Sequence, residues 1–485
     1  MPNLIQSTFW SAIQRFGGLA IGFISNVVLA RLLCPEDYGV VGLIMVFIGI
    51  ADVLVDGGLG NALIQKKEVT KEDVSTVFTS NLIISLFLFV VLFVTAPSIA
   101  SYVEIEKFAL YLRVEAVMVL LRALYVVHFS MLNREMEFKT LAKINLLVNA
   151  LATTIAITMA YYECGVWSLI LRNISLDFLF FIVYHIVYKT KYTLSINKQS
   201  FKQLFGFGIF VAIANLVETL YTNILSFILG KKFSVKELGY YNQAYSLEQI
   251  PVYSITSILN QVFFPFLSKE QDDKNKMRVD IEKSLRAMSF LIYPLMAFLI
   301  FFAKPLIILL YSEKWLPSVP FFQILCTLGF TNFIYHLNRS VLKAVGKSKL
   351  LFYAQIVVSL IGLLLIIISI KFGIIAVVVS VALNSIIGML VVSYFAGISI
   401  NLNIFVQLRD VVLNLILSLL TGVIVYWLST FVSLNPFALI SVALVVFIVI
   451  YMLFHIVIKS SSYRIVMATV KAYYQQRNRN KVIND

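Results

Sequence analysis

From about residue 8 to about residue 458 the chain is built of apolar blocks roughly 20 to 25 residues long, separated by short polar breaks. A helix rises about 1.5 Å per residue, so each block is long enough to cross a hydrocarbon core about 30 Å thick. A transmembrane barrel would instead show alternating segments of about 10 residues, and that pattern is not seen. The chain is 60% hydrophobic and only 13% charged. A water-soluble domain of this size needs more polar residues to cover its surface. The fold class expected is therefore an all-α polytopic membrane protein.

About fourteen spans are predicted, near 8–31, 38–60, 76–97, 109–132, 141–162, 165–188, 204–229, 240–264, 284–303, 318–340, 349–370, 373–396, 410–431 and 436–458. Pro35 and Gly39 frame the first turn and Pro97 closes the third span. Pro305 follows the ninth span, Pro317 and Pro320 open the tenth, and Asn435 and Pro436 separate the last two. The net charge of +14 would suggest nucleic acid in a soluble protein. Here Lys and Arg sit between apolar blocks, so topology explains them and no nucleic-acid partner is expected. Lys66, Lys67, Lys71, the basic residues of 189–202 and those of 269–286 fall on one set of loops. The positive-inside rule puts that set, with both termini, in the cytoplasm. Arg15 lies inside the first block, with no small-residue cleavage site after it, which argues against a cleaved signal. Cys34, Cys164 and Cys326 match no metal or redox spacing and read as small apolar filler.

The chain also reads as duplicated. Pro35-Glu36-Asp37-Tyr38-Gly39 precedes Val235-Lys236-Glu237-Leu238-Gly239 by about 200 residues, each string following an apolar block. Met131-Leu132-Asn133-Arg134 and the lysines after it resemble Val341-Leu342-Lys343 and Lys347–Lys349, about 210 residues on. Six spans per copy is an even number, so both copies enter from the same side and form parallel repeats. The expected domains are a six-helix lobe over 1–195, a second over 196–400, two additional helices over 401–460 and a basic cytoplasmic tail over 461–485. Two facing lobes with a cavity between them follow from that layout. The tail suits an amphipathic helix on the cytoplasmic leaflet or a disordered basic end.

Charge inside a span costs about 2.5–3.5 kcal/mol, so each such residue needs a reason. Arg15 shares a helical face with Ser11, Gly18, Gly22 and Ser25. Asp52 and Asp56 share one with Gly49 and Gly60, and Glu115 lies two turns from Arg122. Arg172 has Asn173 and Asp177 nearby. These acids and arginines either pair across helices or line a cavity. The second lobe carries Glu218, Glu248 and His336 but no Lys or Arg near a span centre, which puts the intramembrane cations in the first lobe. Guanidinium groups suit phosphate, because they stay charged and donate in pairs. Arg15, Arg122 and Arg172 are therefore the expected substrate-binding residues, and Asp52, Asp56, Glu218 and Glu248 the candidates for ion coupling. No P-loop, zinc motif or nucleophile elbow is present, since Gly346-Lys347-Ser348 lacks the upstream glycine. No catalytic residue, metal or cofactor is expected.

Ser7-Thr8-Phe9-Trp10-Ser11 through Arg15, Ala30-Arg31-Leu32-Leu33 with Pro35–Gly39, and Asp56-Gly57-Gly58-Leu59-Gly60-Asn61-Ala62-Leu63-Ile64-Gln65 resemble the Wzx-type flippases of the polysaccharide transporter family in the MOP superfamily. The resemblance implies a V-shaped pair of six-helix lobes and alternating access. Its implied cargo is an undecaprenyl-diphosphate-linked oligosaccharide carried across the inner membrane for O-antigen, capsule or exopolysaccharide synthesis. Ion coupling, a lipid groove made by the last two helices, and a functional position at Arg15 are implied too. Expected partners are that lipid-linked oligosaccharide, membrane lipid, and a polysaccharide polymerase with chain-length proteins. Two alternatives compete: a MATE-like ion-coupled exporter of small molecules, and a membrane enzyme acting on lipid-linked glycan. Three intramembrane arginines argue against the first, and short outer loops against the second.

Overall fold

The structure, a computed structural model, describes residues 4–188, 193–258, 267, 273–468 and 471. Among them there are helices and no strand. In order these are α1 (Leu4–Leu32), α2 (Pro35–Asp56), α3 (Leu59–Gln65), α4 (Lys71–Val103), α5 (Phe108–Glu115), α6 (Val117–Arg134), α7 (Phe138–Tyr161), α8 (Val166–Val187), α9 (Lys198–Lys232), α10 (Val235–Ile258), α11 (Lys274–Phe301), α12 (Ala303–Tyr311), α13 (Val319–Cys326), α14 (Gly329–Ala344), α15 (Ser348–Ser369), α16 (Ile374–Ile400), α17 (Ile404–Ser429) and α18 (Pro436–Val457). A short helix over 461–468 follows.

Eleven helical stretches among the described residues are long and apolar enough to cross a membrane, α2–α3 and α13–α14 each counting as one. The chain is thus a multi-pass α-helical membrane protein. Helices α5–α6, α9 and α10 occupy the other three predicted spans and carry more polar residues. Residues 259–264 of the eighth predicted span, Lys191, and the tail beyond 471 lie outside the described residues.

Local sequence sets the helix ends. Thr70 and Asp73 form a reciprocal capping box at the start of α4, with Asp73 N–H to Thr70 Oγ1 at 3.2 Å and Thr70 N–H to Asp73 Oδ2 at 2.9 Å. Asn435 accepts from Ala438 N–H at 2.8 Å, and Pro436 opens α18. Pro97 does not close the third span as expected, because α4 continues through it to Val103. Membrane helices tolerate proline when neighbours re-satisfy the freed carbonyl. The α2–α3 break falls at Gly57 and Gly58, whose φ values are 50° and 70°. A Cβ on Gly58 would also overlap the Gly208 carbonyl of α9, so glycine is required there twice over.

Two compact units are formed, Met1–Asn242 and Gln243–Asp485. The lobe boundary expected from sequence falls earlier, near residue 195. The two differ because α9, which that expectation assigns to the second lobe, packs on α2, α3 and α4. Inside the first unit the two strings that sequence pairs as a repeat meet each other. Gly39 faces the Val235 carbonyl and Gly239 faces the Pro35 carbonyl, each too closely for a Cβ. Lys236 Nζ bridges to Glu36 Oε1 at 3.0 Å.

The second repeat signal is also structural. Met136 and Gly346, about 210 residues apart, both have positive φ, 58° and 74°. Each turn carries the same bonds: Met136 N–H to Asn133 C=O and Glu137 N–H to Leu132 C=O, then Gly346 N–H to Lys343 C=O and Lys347 N–H to Leu342 C=O. In the second unit, α17 and α18 pack on α11 and α12 through Phe290, Phe298, Phe302, Phe447 and Tyr451.

Candidate functional site

Each charged side chain of the first unit's interior has its position set by a helix. Arg122 lies one turn into α6. Its Nη1 donates to Asp52 of α2, and its Nε to Asp177 Oδ1 of α8 at 3.2 Å. The Tyr125 hydroxyl donates to the same Asp177 oxygen at 2.7 Å. One guanidinium therefore holds two carboxylates, the Asp177 side chain being only 3% exposed. That is the cross-helix pairing reading, and it is realised at Arg122.

Glu115 is fully buried and accepts from Asn173 Nδ2 at 2.7 Å. It does not share a continuous face with Arg122, because α5 ends at Glu115 and α6 begins at Val117. Asp56 ends α2, and its carboxylate accepts from the backbone N–H groups of Gly58 and Gly60. It thereby caps the start of α3. The expected single face of Gly49, Asp52, Asp56 and Gly60 is broken by that turn, since Gly60 belongs to α3.

Arg172 differs from Arg122. Asn173 and Asp177, its expected partners, are engaged with Glu115 and with Arg122 and Tyr125. No carboxylate among the described residues forms an ion pair with Arg172, and its buried Nε has no hydrogen-bond partner there. It lies beside Tyr38 of α2. Arg15 sits in α1 against α7, where Gly17 and Gly18 bring the backbone close to Leu146 and Asn145. Of the small residues on the Arg15 face, this approach accounts for Gly18, whereas Gly22 faces open space. Glu218 lies on α9, but its side chain is outside the described residues.

In the second unit Glu248 of α10 is fully buried. Gln249 Nε2 donates to its Oε2 at 3.0 Å, while Oε1 has no partner among the described residues. Sequence reasoning overlooked Arg339. It lies five residues before the end of the 16-residue α14, with a buried Nε that has no partner among the described residues. The second lobe thus also carries a cation within a helix, toward its end rather than near a span centre. The available signal was spacing: Asn332, His336, Arg339 and Lys343 recur every three or four residues. No group of three or more metal-ligating side chains occurs among the described residues.

At the ends of the first unit, Lys66 Nζ binds Asp73 Oδ2 at 2.7 Å, and Lys231 Nζ binds Glu104 Oε1 at 2.7 Å. The Lys231 hydrogen bond holds the exposed Glu104 carboxyl below the usual glutamate range.

The family described as "Polysaccharide biosynthesis protein" matches residues 28–320. The chain is 30% identical over 354 residues to an "Uncharacterized membrane protein in cps region" of Klebsiella pneumoniae, covering 71% of this chain and 72% of that one. It is 27% identical to the "Teichuronic acid biosynthesis protein TuaB" of Bacillus subtilis (strain 168), covering 78% and 79%. Among solved structures, "Lipid II flippase MurJ, inward closed conformation" matches with TM-score 0.71 at 19% identity, covering 92% of this chain and 98% of that one. At that identity the likeness shows the fold.

Proposed function

This chain belongs to the polysaccharide biosynthesis protein family, and from that premise we propose that it is a flippase for an undecaprenyl-diphosphate-linked oligosaccharide. The repeat unit crosses the inner membrane by alternating access and feeds O-antigen, capsule or exopolysaccharide synthesis. The observation that carries the reading is Arg172, a guanidinium among apolar helices with no carboxylate partner among the described residues. Such a charge is costly in a span unless a ligand or water compensates it. A diphosphate is the part of this cargo whose desolvation the protein has to offset, and arginine supplies paired donors for it. The tail remains in lipid and the sugar in hydrated space.

Arg172 and Arg15 take the phosphates in this reading. Arg122 reaches the substrate only by exchanging Asp52 or Asp177 for it, so its first role is to hold α2, α6 and α8 together. Of the proposed coupling acids, Asp52 and Asp56 are engaged in pairing and capping. Glu248 is therefore the favoured ion-binding carboxyl, with Glu218 second. Both termini lie in the cytoplasm, in keeping with the loop charges. A polymerase and chain-length proteins act on the delivered unit.

The test is translocation in proteoliposomes loaded with lipid-linked oligosaccharide, with proton and sodium gradients imposed in turn. The parent protein should expose the saccharide on the far side, and Arg172→Ala should not. Parent protein that leaves the saccharide in place but expels cationic dyes would overturn the reading in favour of a small-molecule exporter.

A further inference from the structure

Helix α14 of the second unit has two faces. One carries Phe333, Ile334, Leu337, Val341 and Leu342, all nearly or fully buried. It packs into a core with Tyr293 and Met296 of α11 and Met389, Val392 and Ala396 of α16. The other carries Asn332, His336, Arg339 and Lys343, four, three and four residues apart, hence one above another over about 16 Å of helix. Lys343 is exposed at the end of α14, while Arg339 and His336 are half-buried farther in. Asn332 closes the row, its Oδ1 accepting from Ser385 Oγ at 3.3 Å. Among the described residues no carboxylate pairs with His336, Arg339 or Lys343, and the buried Arg339 Nε has no partner. The row from Asn332 to Lys343 lies within the candidate span Glu313–Ala344.

Two cations one turn apart, with the His336 imidazole and the Asn332 amide continuing their row, must face water or an anion, because hydrocarbon does not solvate charge. Its pairing differs from that of Arg122, where acids on neighbouring helices neutralise the charge. We propose that Lys343, Arg339 and His336 form an entry site on the second unit for a lipid-borne diphosphate, handing it inward from the exposed end of α14 toward Asn332. This rests on the flippase reading and adds a second anion site to it. The site suits a diphosphate because cations on adjacent helical turns hold two linked phosphoryl groups at once, Arg339 by paired donors and Lys343 as a point charge. It suits a lipid-borne one because it is reached at membrane depth. Loop charge places the exposed end of α14, next to Lys347 and Lys349, on the cytoplasmic side.

The experiment is binding of undecaprenyl diphosphate to the full-length protein in zwitterionic nanodiscs, for the parent, Arg339→Gln, Arg339→Lys, Lys343→Gln and Arg172→Gln. Arg339→Gln should weaken binding about tenfold, the scale of one charge-assisted contact. Arg339→Lys should recover part of it, and Lys343→Gln should weaken it less. Arg339→Lys and Lys343→Gln keep the test open if Arg339→Gln folds poorly. Unchanged affinity in monodisperse Lys343→Gln and Arg339→Lys proteins would overturn the site, as would equal displacement by phosphatidylglycerol, which would make it a general phospholipid contact. Loss of diphosphate binding in the α14 variants supports the site even where the parent fails to translocate saccharide, an outcome that sinks the flippase reading alone. Normal translocation with normal binding in those variants sinks the site and leaves the flippase reading standing.

Discussion

Helices α6 and α14 occupy equivalent places about 210 residues apart, each preceded by a short helix and followed by the same positive-φ turn. Their charges are arranged in opposite ways. In α6 the cation is deep and satisfied, Arg122 lying between Asp52 and Asp177. At the matching place α14 has Asn332, and its cations sit nearer the helix end without acidic partners among the described residues. Charge within a span thus serves two ends. Paired with acids on neighbouring helices, it fixes the bundle. Without an acidic partner among the described residues, as in α14, it is the charge proposed above to meet a diphosphate.

The largest effect should come from breaking the paired case. Arg122→Ala leaves Asp52 and Asp177 without their cation, at roughly 3 kcal/mol in stability. Thermal unfolding in detergent should show a clear drop, and a triple change with Asp52→Asn and Asp177→Asn should restore much of it. Arg122, expected from sequence to bind substrate, would then act first on stability. An Arg122→Ala protein as stable as the parent would erase the distinction between the two helices.

The next effect concerns the other repeat pair, α2 and α10. Gly39→Ala or Gly239→Ala would drive a methyl into the opposing backbone carbonyl. Overpacking of this kind costs about 1–3 kcal/mol. The two substitutions should behave alike, because the contacts are reciprocal; a loss at one position only would show that the repeat is not mirrored in packing.

Removing a cation that has no acidic partner among the described residues should act on transport rather than stability. Arg172→Ala should unfold within about 1 °C of the parent, because no ion pair is lost, while translocation falls by about tenfold or more. Arg172→Lys should recover part of the rate. Equal thermal losses for Arg172→Ala and Arg122→Ala would place both in the structural class.

The smallest effect is expected at the exposed pairs. Lys236→Ala, which loses Glu36, should leave unfolding unchanged. Glu104 has a lowered folded pKa, so its pairing with Lys231 holds above the ordinary glutamate value and is lost only as pH falls through the lowered one. Unfolding of Glu104→Gln and parent should therefore coincide in acid and differ, if at all, only near neutral pH.

The amino-acid sequence by itself determined the helices and their order. Apolar block length is a local property, and both repeat signals, at Gly39/Gly239 and at the turns after α6 and α14, were visible as strings. It also marked which residues are costly in lipid, because Arg15, Arg122 and Arg172 stand out against apolar neighbours. Tertiary structure decided what each charge does. Asp52, Arg122 and Asp177 come from three helices far apart in the chain, and no spacing rule joins them. The same holds for Asn173, which goes to Glu115 and so leaves Arg172 without it. It is also why α9, which sequence assigns to the second lobe, packs within the first compact unit. Pro97 shows the limit from the other side: a strong local breaker stays inside α4, because the surroundings of a membrane helix can satisfy what proline leaves open. Helix formation in a span is enforced locally by backbone hydrogen bonding, whereas the state of a buried charge depends on which side chains neighbouring helices bring within about 4 Å.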